Sequence, residues 1–212
     1  MRYRQFLNEG TVTKDELEMF KSDCAYFFKE SAFPGIGGSG KGYPMYRGSK
    51  SVNTNSYKVI TPRTSRLPKD TPEELHYALD ESFNDKFGWN VRSEGVFCTG
   101  SGPSTGPYGK IYWVLPIGKF QYVWSSKIRD LTNTLEEYKI FTYHPRGRST
   151  IDMDSDKYEP ILDKIVSTYQ DNDLYNGIYS KNEISIKCKK YYMVDPDYFD
   201  RSSKKELFMG YV

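Results

Sequence analysis

The sequence has few of the features that mark membrane, secreted or metal-binding proteins. It contains no run of about 18 apolar residues, the length of a membrane span, and residues 1–6 lack the apolar stretch of a signal peptide. Its three cysteines, Cys24, Cys98 and Cys188, are widely scattered, which argues against a disulfide framework and a cysteine metal site. We therefore expect a cytoplasmic protein that contacts no membrane and holds no metal.

An excess of charge of either sign is also absent, because 30 Lys and Arg residues oppose 28 Asp and Glu residues. The net charge of +2 gives no argument for nonspecific binding to nucleic acids or membranes. Aromatic residues are abundant, with 19 Tyr, 12 Phe and 3 Trp, and such rings bury a large area. A chain of 212 residues can form one well-buried core, which we expect to be largely aromatic.

Periodicity and capping signals predict helices early in the chain and strands late. Thr13 and Glu16 form a capping box, which predicts a helix from Thr13 to about residue 31. Its apolar stripe comprises Leu17, Phe20, Cys24, Phe27 and Phe28. Further helices are expected from 71 to Gly88 and near 130–138 and 158–169. Strands are expected around Arg47 and at 57–60, 96–99, 110–115, 120–124 and 183–194.

Repeats and linkers are absent from the sequence, so these elements predict a single α+β domain. We divide it into a helical N-terminal segment with a glycine-rich loop (1–43), a catalytic core (44–194) and a C-terminal tail (195–212).

The glycine-rich run 35–42 matches the spacing of a phosphate-binding P-loop except at its last position. Gly42 stands where a Ser or Thr would hold magnesium, and Pro44 prevents a helix from starting at Lys41. We interpret the run as a surface loop that does not bind ATP.

Neither histidine has the sequence context of a nucleophilic triad. His76 lies within a predicted helix and His144 precedes a proline, with no Ser or Cys and Asp at a recognisable spacing. The acidic run 152–156 resembles the start of a calcium loop, but Lys157 stands at the sixth position, where glycine is expected. We interpret this run as an acidic turn before a helix.

Three short segments carry polar residues at the ends of predicted strands. An arginine can grip a phosphate bidentately, a glycine lets that phosphate approach, and a carboxylate can stabilise an oxocarbenium ion. Hydroxyl groups can order the carboxylate or bond a ribose. Each feature alone is typical of an ordinary surface residue, but together they indicate cleavage of a glycosidic bond in a phosphate-bearing cofactor. The segments are Met45-Tyr46-Arg47-Gly48, Gly95-Val96-Phe97-Cys98-Thr99-Gly100 and Asn182-Glu183-Ile184-Ser185-Ile186-Lys187.

This set resembles the mono-ADP-ribosyltransferases of the arginine–serine–glutamate type. The similarity extends from about residue 44 to residue 194, and residues 68–130 also resemble bacteriophage proteins with such a domain. The resemblance implies N-terminal helices packed on a split antiparallel or mixed β-sheet. It also implies NAD as the substrate without a metal, and a macromolecular acceptor, either a host protein or a nucleic acid, in the host cytoplasm if the chain is phage-encoded.

The resemblance assigns roles to particular residues. Glu183 would be the catalytic residue, and the cofactor would be bound by Arg47, Gly48, Thr99, Ser101 and Tyr108.

Two positions depart from the family pattern. The family's Ser-Thr-Ser is here Cys98-Thr99-Gly100, so the role of its first serine falls to Thr99 or Ser101, or is missing. The Gln or Glu that often precedes the catalytic glutamate by two residues is Lys181. In an extended strand start Lys181 would share a face with Glu183, where its charge would direct acceptor choice away from arginine.

Two other functions are consistent with the sequence. One is a non-enzymatic bacteriophage protein, either a virion component or a binding protein on a degenerate transferase fold. The other is an NAD glycohydrolase, for which water is the acceptor. The joint presence of Arg47, the hydroxyl residues and Glu183 favours the transferase.

Overall fold

The structure is a computed structural model, which describes residues 11–32, 42–68, 71–142 and 149–209. Most of the glycine-rich run 35–42, including Lys41, lies outside the described residues, and so does His144. What the sequence predicts for them therefore stays a prediction.

Helices and strands interleave along the described part of the chain. The helices are α1 (Lys14–Asp23), α2 (Ala25–Glu30), α3 (Glu73–Phe87), α4 (Val91–Glu94), α5 (Gly102–Thr105), α6 (Leu131–Glu137), α7 (Ser155–Ser167), α8 (Leu174–Ser180) and α9 (Arg201–Met209). The strands are β1 (Met45–Ser49), β2 (Tyr57–Ile60), β3 (Val96–Thr99), β4 (Lys110–Pro116), β5 (Gln121–Ser125), β6 (Phe141–Thr142), β7 (Thr150–Ile151), β8 (Tyr169–Gln170), β9 (Glu183–Lys187) and β10 (Tyr191–Val194). Short 3-10 turns occur at Gly106–Tyr108 and Pro196–Tyr198.

The capping box predicted before the first helix is confirmed. The Thr13 backbone N–H donates to Glu16 Oε2 at 2.8 Å, and the Glu16 N–H donates to Thr13 Oγ1 at 3.2 Å. The helix does not run unbroken to residue 31, however, because Cys24 leaves helical geometry and separates α1 from α2. The five residues of the apolar stripe are all buried.

An eight-stranded sheet forms the centre of the domain, in the order β2-β10-β4-β1-β3-β9-β5-β8, and its pairs are antiparallel. β1 pairs with β4 from Met45 to Ser49 but with β3 only at Tyr46 and Thr99. The sheet is therefore split into two half-sheets, β2-β10-β4-β1 and β3-β9-β5-β8, which are joined at one register pair. Strands β6 and β7 form a separate two-stranded sheet.

The single strand predicted over 183–194 is wrong, because the chain forms β9 and β10 there. β9 pairs with β3 and β5 in one half-sheet, whereas β10 pairs with β2 and β4 in the other. Residues 188–190 carry the chain between the two half-sheets. The alternation of Ile184, Ile186 and Cys188 runs past the last residue of β9, so the sequence pattern does not mark where that strand ends.

The fold is a single α+β domain with two clusters of buried side chains. The first joins α1, α2 and α9 to the sheet, and the rings of Phe20, Tyr57 and Tyr192 meet edge to face within it, with centroids 4.9–5.6 Å apart. The second lies among α3, α6 and α7 and includes Val123 and Tyr169 of the sheet. Among the described helices, none has both the length and the apolar composition needed to cross a membrane.

Residues 196–209, which belong to the expected C-terminal tail, form a 3-10 turn and α9. Leu207 of α9 is fully buried, and the neighbouring Phe208 ring packs edge to face on Trp113 of β4, with the ring centroids 5.2 Å apart. The Phe208 carbonyl oxygen also accepts a hydrogen bond from the Gly42 N–H at 2.8 Å. This end of the chain therefore contributes to the core.

We expect Leu207→Ala to lower the free energy of unfolding by about 2–5 kcal/mol, because it leaves a cavity in the first cluster. Lys205→Ala, an exposed position on the same helix, should change stability by less than about 0.5 kcal/mol. Urea denaturation of both variants measures the difference. Equal, small effects would mean that α9 contributes little to the core.

Candidate functional site

The three polar segments meet where the two half-sheets join. Tyr46 of β1 pairs with Thr99 of β3, and Thr99 pairs in turn with Glu183 of β9. Adjacent strands lie about 4.8 Å apart, so about 10 Å separates the backbone of Tyr46 from that of Glu183. Residues that are distant in the sequence are thus neighbours on one rung of the sheet.

The side chain of Arg47 enters the gap in which β1 and β3 diverge. Its Nη1 atom donates a hydrogen bond to the Phe97 carbonyl oxygen at 2.8 Å. Because side chains alternate along a strand, Arg47 leaves the sheet on the face opposite to that of Thr99 and Glu183. Arg47 and Glu183 are therefore close along the sheet but start from opposite faces.

Gly48 lies directly beneath the segment that carries Tyr108. A Cβ atom at Gly48 would lie 2.1 Å from the Thr105 carbonyl oxygen and 2.9 Å from Tyr108 Cβ. Gly48 thus allows α5 and the following turn to pack closely on β1. The space in which a phosphate was expected to approach this glycine is filled by these residues. Tyr108 keeps 62% of its surface exposed, so its ring can still stack on a ligand beside β1.

The Thr99 hydroxyl connects β3 to the residues that precede Glu183. Thr99 Oγ1 donates to the Lys181 carbonyl oxygen at 2.8 Å and accepts from the Ser101 N–H at 3.2 Å. Ser101 Oγ accepts a further bond from Ser104 Oγ at 2.9 Å. Thr99 thus connects β3 to the turn before Glu183, whereas the bonds of Ser101 lie within residues 99–104.

Lys181 is not part of an extended strand start, so the argument that placed it on the same face as Glu183 is wrong. It is the C-cap of α8 and has left-handed geometry, with φ of 62° and ψ of 14°. The helix ends there because its backbone N–H turns back to the Ile178 carbonyl oxygen. Its side chain is exposed and lies two residues before Glu183 in the sequence.

Glu183 occupies a largely buried, polar position at the start of β9. Its side chain keeps 19% of its surface exposed, and its Oε1 atom lies 3.9 Å from Arg92 Nη1. Burial raises the pKa of Glu183 to about 7, against the opposing attraction of Arg92. The carboxyl group is therefore poised between its protonated and ionised forms near neutral pH, which suits either proton transfer or stabilisation of a positive charge.

Arg92 and Arg66 approach Glu183 without having been predicted from the sequence. Both guanidinium groups lie over the Phe97 ring, with their central carbons 4.7 and 4.5 Å from its centroid. Both cations lower the pKa of Glu183. Neither lies in a motif that separates it from the other arginines of the chain. Arg92 is identified by its place on α4, and Arg66 by the segment before α3, where its backbone N–H donates to the Ser93 carbonyl oxygen at 3.0 Å.

His76 has a Ser and an Asp as neighbours in space, although their sequence spacing is not that of a recognisable triad. Its Nε2 atom lies 3.0 Å from Ser93 Oγ and 3.5 Å from Asp80 Oδ2. These residues do not form a nucleophilic triad, because the Ser93 hydroxyl donates directly to Asp80. In a triad the histidine would stand between the serine and the carboxylate.

The acidic run 152–156 forms the turn that the sequence indicates. Asp152 accepts hydrogen bonds from the hydroxyl groups of Thr142 and Thr150, and Asp154 precedes the first residue of α7. Within the described ranges, no group of three or more His, Cys, Asp or Glu side chains is arranged to hold a metal ion.

Comparisons with protein-family models, with curated proteins and with solved structures found no match to this chain. The resemblance to the ADP-ribosyltransferases therefore rests on the short motifs and on the arrangement of their residues.

We expect Glu183→Gln to stabilise the fold increasingly as the pH rises. In the unfolded chain Glu183 ionises near its ordinary pKa of 4.5, whereas in the folded chain its pKa is about 7. Folding thus favours the protonated form, and the stability that this contributes is lost as the pH rises through 7. The advantage of Gln over Glu should grow by about 2 kcal/mol between about pH 5 and about pH 8. Urea unfolding at both pH values measures it, and an advantage independent of pH would contradict the raised pKa.

Proposed function

We propose that this protein transfers ADP-ribose from NAD to a macromolecular acceptor and releases nicotinamide. The observation that carries the proposal is the register that sets Thr99 directly beside Glu183 and beside Tyr46, next to Arg47. Three segments that resemble motifs of the arginine–serine–glutamate transferases thus meet in the sheet, with Arg47 one residue beyond the Tyr46–Thr99–Glu183 register and on the opposite face. The split sheet is the arrangement that this resemblance implies.

The chemistry requires a charge opposite the breaking glycosidic bond. As the bond between the ribose C1′ and nicotinamide breaks, its electron pair leaves with nicotinamide and positive charge develops on the ribose. The ionised carboxylate of Glu183 would stabilise that charge, and an acceptor nucleophile would then attack C1′ and release its proton to solvent. Since only the ionised form does this, the rate should rise with pH through about 7.

The other residues would bind and orient NAD. Arg47 has guanidinium donors beyond the one bonded to Phe97, and these would hold a phosphate. Tyr108 would stack on a flat ring of the substrate, and Thr99 and Ser101 would keep Glu183 in place.

One observation favours a non-enzymatic binding protein instead. The bond from Arg47 to the Phe97 carbonyl oxygen is what a structural arginine would make in a split sheet. On this alternative the residues of the rung stabilise the join and cleave nothing.

Glu183→Gln should lower the rate of nicotinamide release from NAD by about 10²–10³, because the amide keeps the shape but lacks the charge. NAD affinity, measured by calorimetry, should change little. Glu81→Gln, an exposed position on α3, is the matched control and should retain the wild-type rate. Undetectable release by the wild type under all conditions, with NAD still bound, would favour the binding protein.

Lys181→Glu should change which molecules become labelled rather than how fast NAD is cleaved. An exposed cation beside Glu183 repels an arginine acceptor and favours an anionic or neutral one. Labelled NAD in a bacterial lysate, followed by protease or nuclease treatment, identifies the acceptor class for both proteins. An unchanged pattern with slower NAD cleavage would assign Lys181 to the NAD site.

A further inference from the structure

α4 contains only four residues and depends on a side chain from another helix. Its N-cap residue Asn90 makes no side-chain capping bond. Asp80 of α3 instead accepts the backbone N–H groups of Arg92, at 2.6 Å, and Ser93, at 3.1 Å, together with the Ser93 hydroxyl. Because a single helical turn is unstable alone in water, Asp80 determines where α4 lies.

The same anchored turn delivers Arg92 to Glu183. The Arg92 side chain is 9% exposed, its Nη1 atom lies 3.9 Å from Glu183 Oε1, and its guanidinium lies over the Phe97 ring. Phe97 is itself held by the bond from Arg47 to its carbonyl oxygen. The cation is thus confined between a ring and a carboxylate.

This arrangement is poor for stability. Arg92 Nε is buried, and within the described part of the chain it has no hydrogen-bond partner. Its ion pair with Glu183 is long for a charge-assisted bond. A buried charge with an unsatisfied donor costs free energy, so its presence calls for an explanation other than stability.

We infer that Arg92 is the fixed counter-charge of Glu183, and that Asp80 is a positioning residue that holds Arg92 at its distance from the carboxylate. The catalytic consequence rests on the proposed function, because it concerns the charge that assists loss of nicotinamide. The physical linkage between Asp80, Arg92 and Glu183 does not rest on the proposed function, because it can be measured in the protein without any substrate.

Besides the Cys98 thiol of β3, whose pKa is raised by burial and also by Glu183, four groups from four parts of the fold act electrostatically with Glu183. Arg92 of α4 and Arg66 of the segment before α3 favour its ionised form, and Asp130, which precedes α6, opposes ionisation. The fourth, Tyr169 of β8, is buried with its hydroxyl unpaired within the described part of the chain, and Glu183 helps to raise its pKa, after burial itself. Arg92 exerts the largest effect after burial, so its removal should dominate any change.

The experiment is a carbon-13 NMR titration of the Glu183 carboxyl group in the full chain, assigned with Glu183→Gln. Arg92→Met removes the charge but keeps an apolar side chain of similar length. In this variant the titration midpoint of Glu183 should rise by at least about one pH unit, because a nearby opposite charge lowers a carboxyl pKa by about 1–3 units. Arg92→Lys, which keeps the charge, should recover part of the difference.

Asp80→Asn separates positioning from direct electrostatics, because the two effects have opposite signs. Loss of a distant negative charge would by itself lower the midpoint of Glu183. Release of α4 would move Arg92 away from Glu183 and raise the titration midpoint of Glu183. We expect the midpoint to rise. Asp85→Asn, the same substitution at an exposed site on α3, is the control and should leave the midpoint unchanged. If Asp80→Asn does not fold, Ser93→Ala removes one contact of the network and should raise the midpoint less.

The inference would be overturned if the titration midpoint of Glu183 stayed the same or fell in Arg92→Met and also in Asp80→Asn, or in Ser93→Ala where Asp80→Asn does not fold. This conclusion would not depend on the result of NAD assays. If the wild type cleaves NAD, Asp80→Asn should also reduce kcat by about tenfold or more at unchanged KM, since a displacement of about 1 Å can cost that much. Raised midpoints in a protein that does not cleave NAD would support the linkage and reject the proposed function.

Discussion

The architecture depends on one constraint, the single register pair that joins β1 to β3. Beyond Tyr46 and Thr99 the two strands diverge, so each leaves an edge that must find other hydrogen bonds. Arg47 supplies one of them through its bond to Phe97, and α5 covers β1 at Gly48. The site residues are therefore also the residues that close the split. Their polar groups form hydrogen bonds to the backbone at the join, as Arg47 does with Phe97, and these bonds require no ligand.

The parts of the fold that could be predicted are those specified by local signals. The capping box at Thr13, the buried stripe that follows it and the left-handed Gly88 at the end of α3 all depend on neighbours in the sequence. The short helices α4, α5 and α8 could not be predicted, because they contain four, four and seven residues, too few for an apolar period, and the first two have no side-chain cap. α4 is held by the Asp80 carboxylate of α3.

For the site, the residue types could be predicted but not their directions. Strand-end motifs brought Thr99 and Glu183 into the hypothesis, and their register places them side by side. Arg47 lies on the opposite face because its neighbour Tyr46 is the residue paired with Thr99, and Lys181 is left-handed because it ends α8. Arg92 carries no signal in the sequence, since an arginine before a strand is common and only tertiary packing brings it to Glu183.

The split of the sheet also has a mechanical consequence. Arg47 belongs to the half-sheet that contains β1, whereas Glu183 belongs to the other half, and one rung of backbone hydrogen bonding connects the two. A ligand held by both residues would act as a second tie across the join, so its affinity would depend on the angle between the halves. Equally, such a ligand would slow amide exchange at Tyr46 and Thr99 even if it touched neither residue.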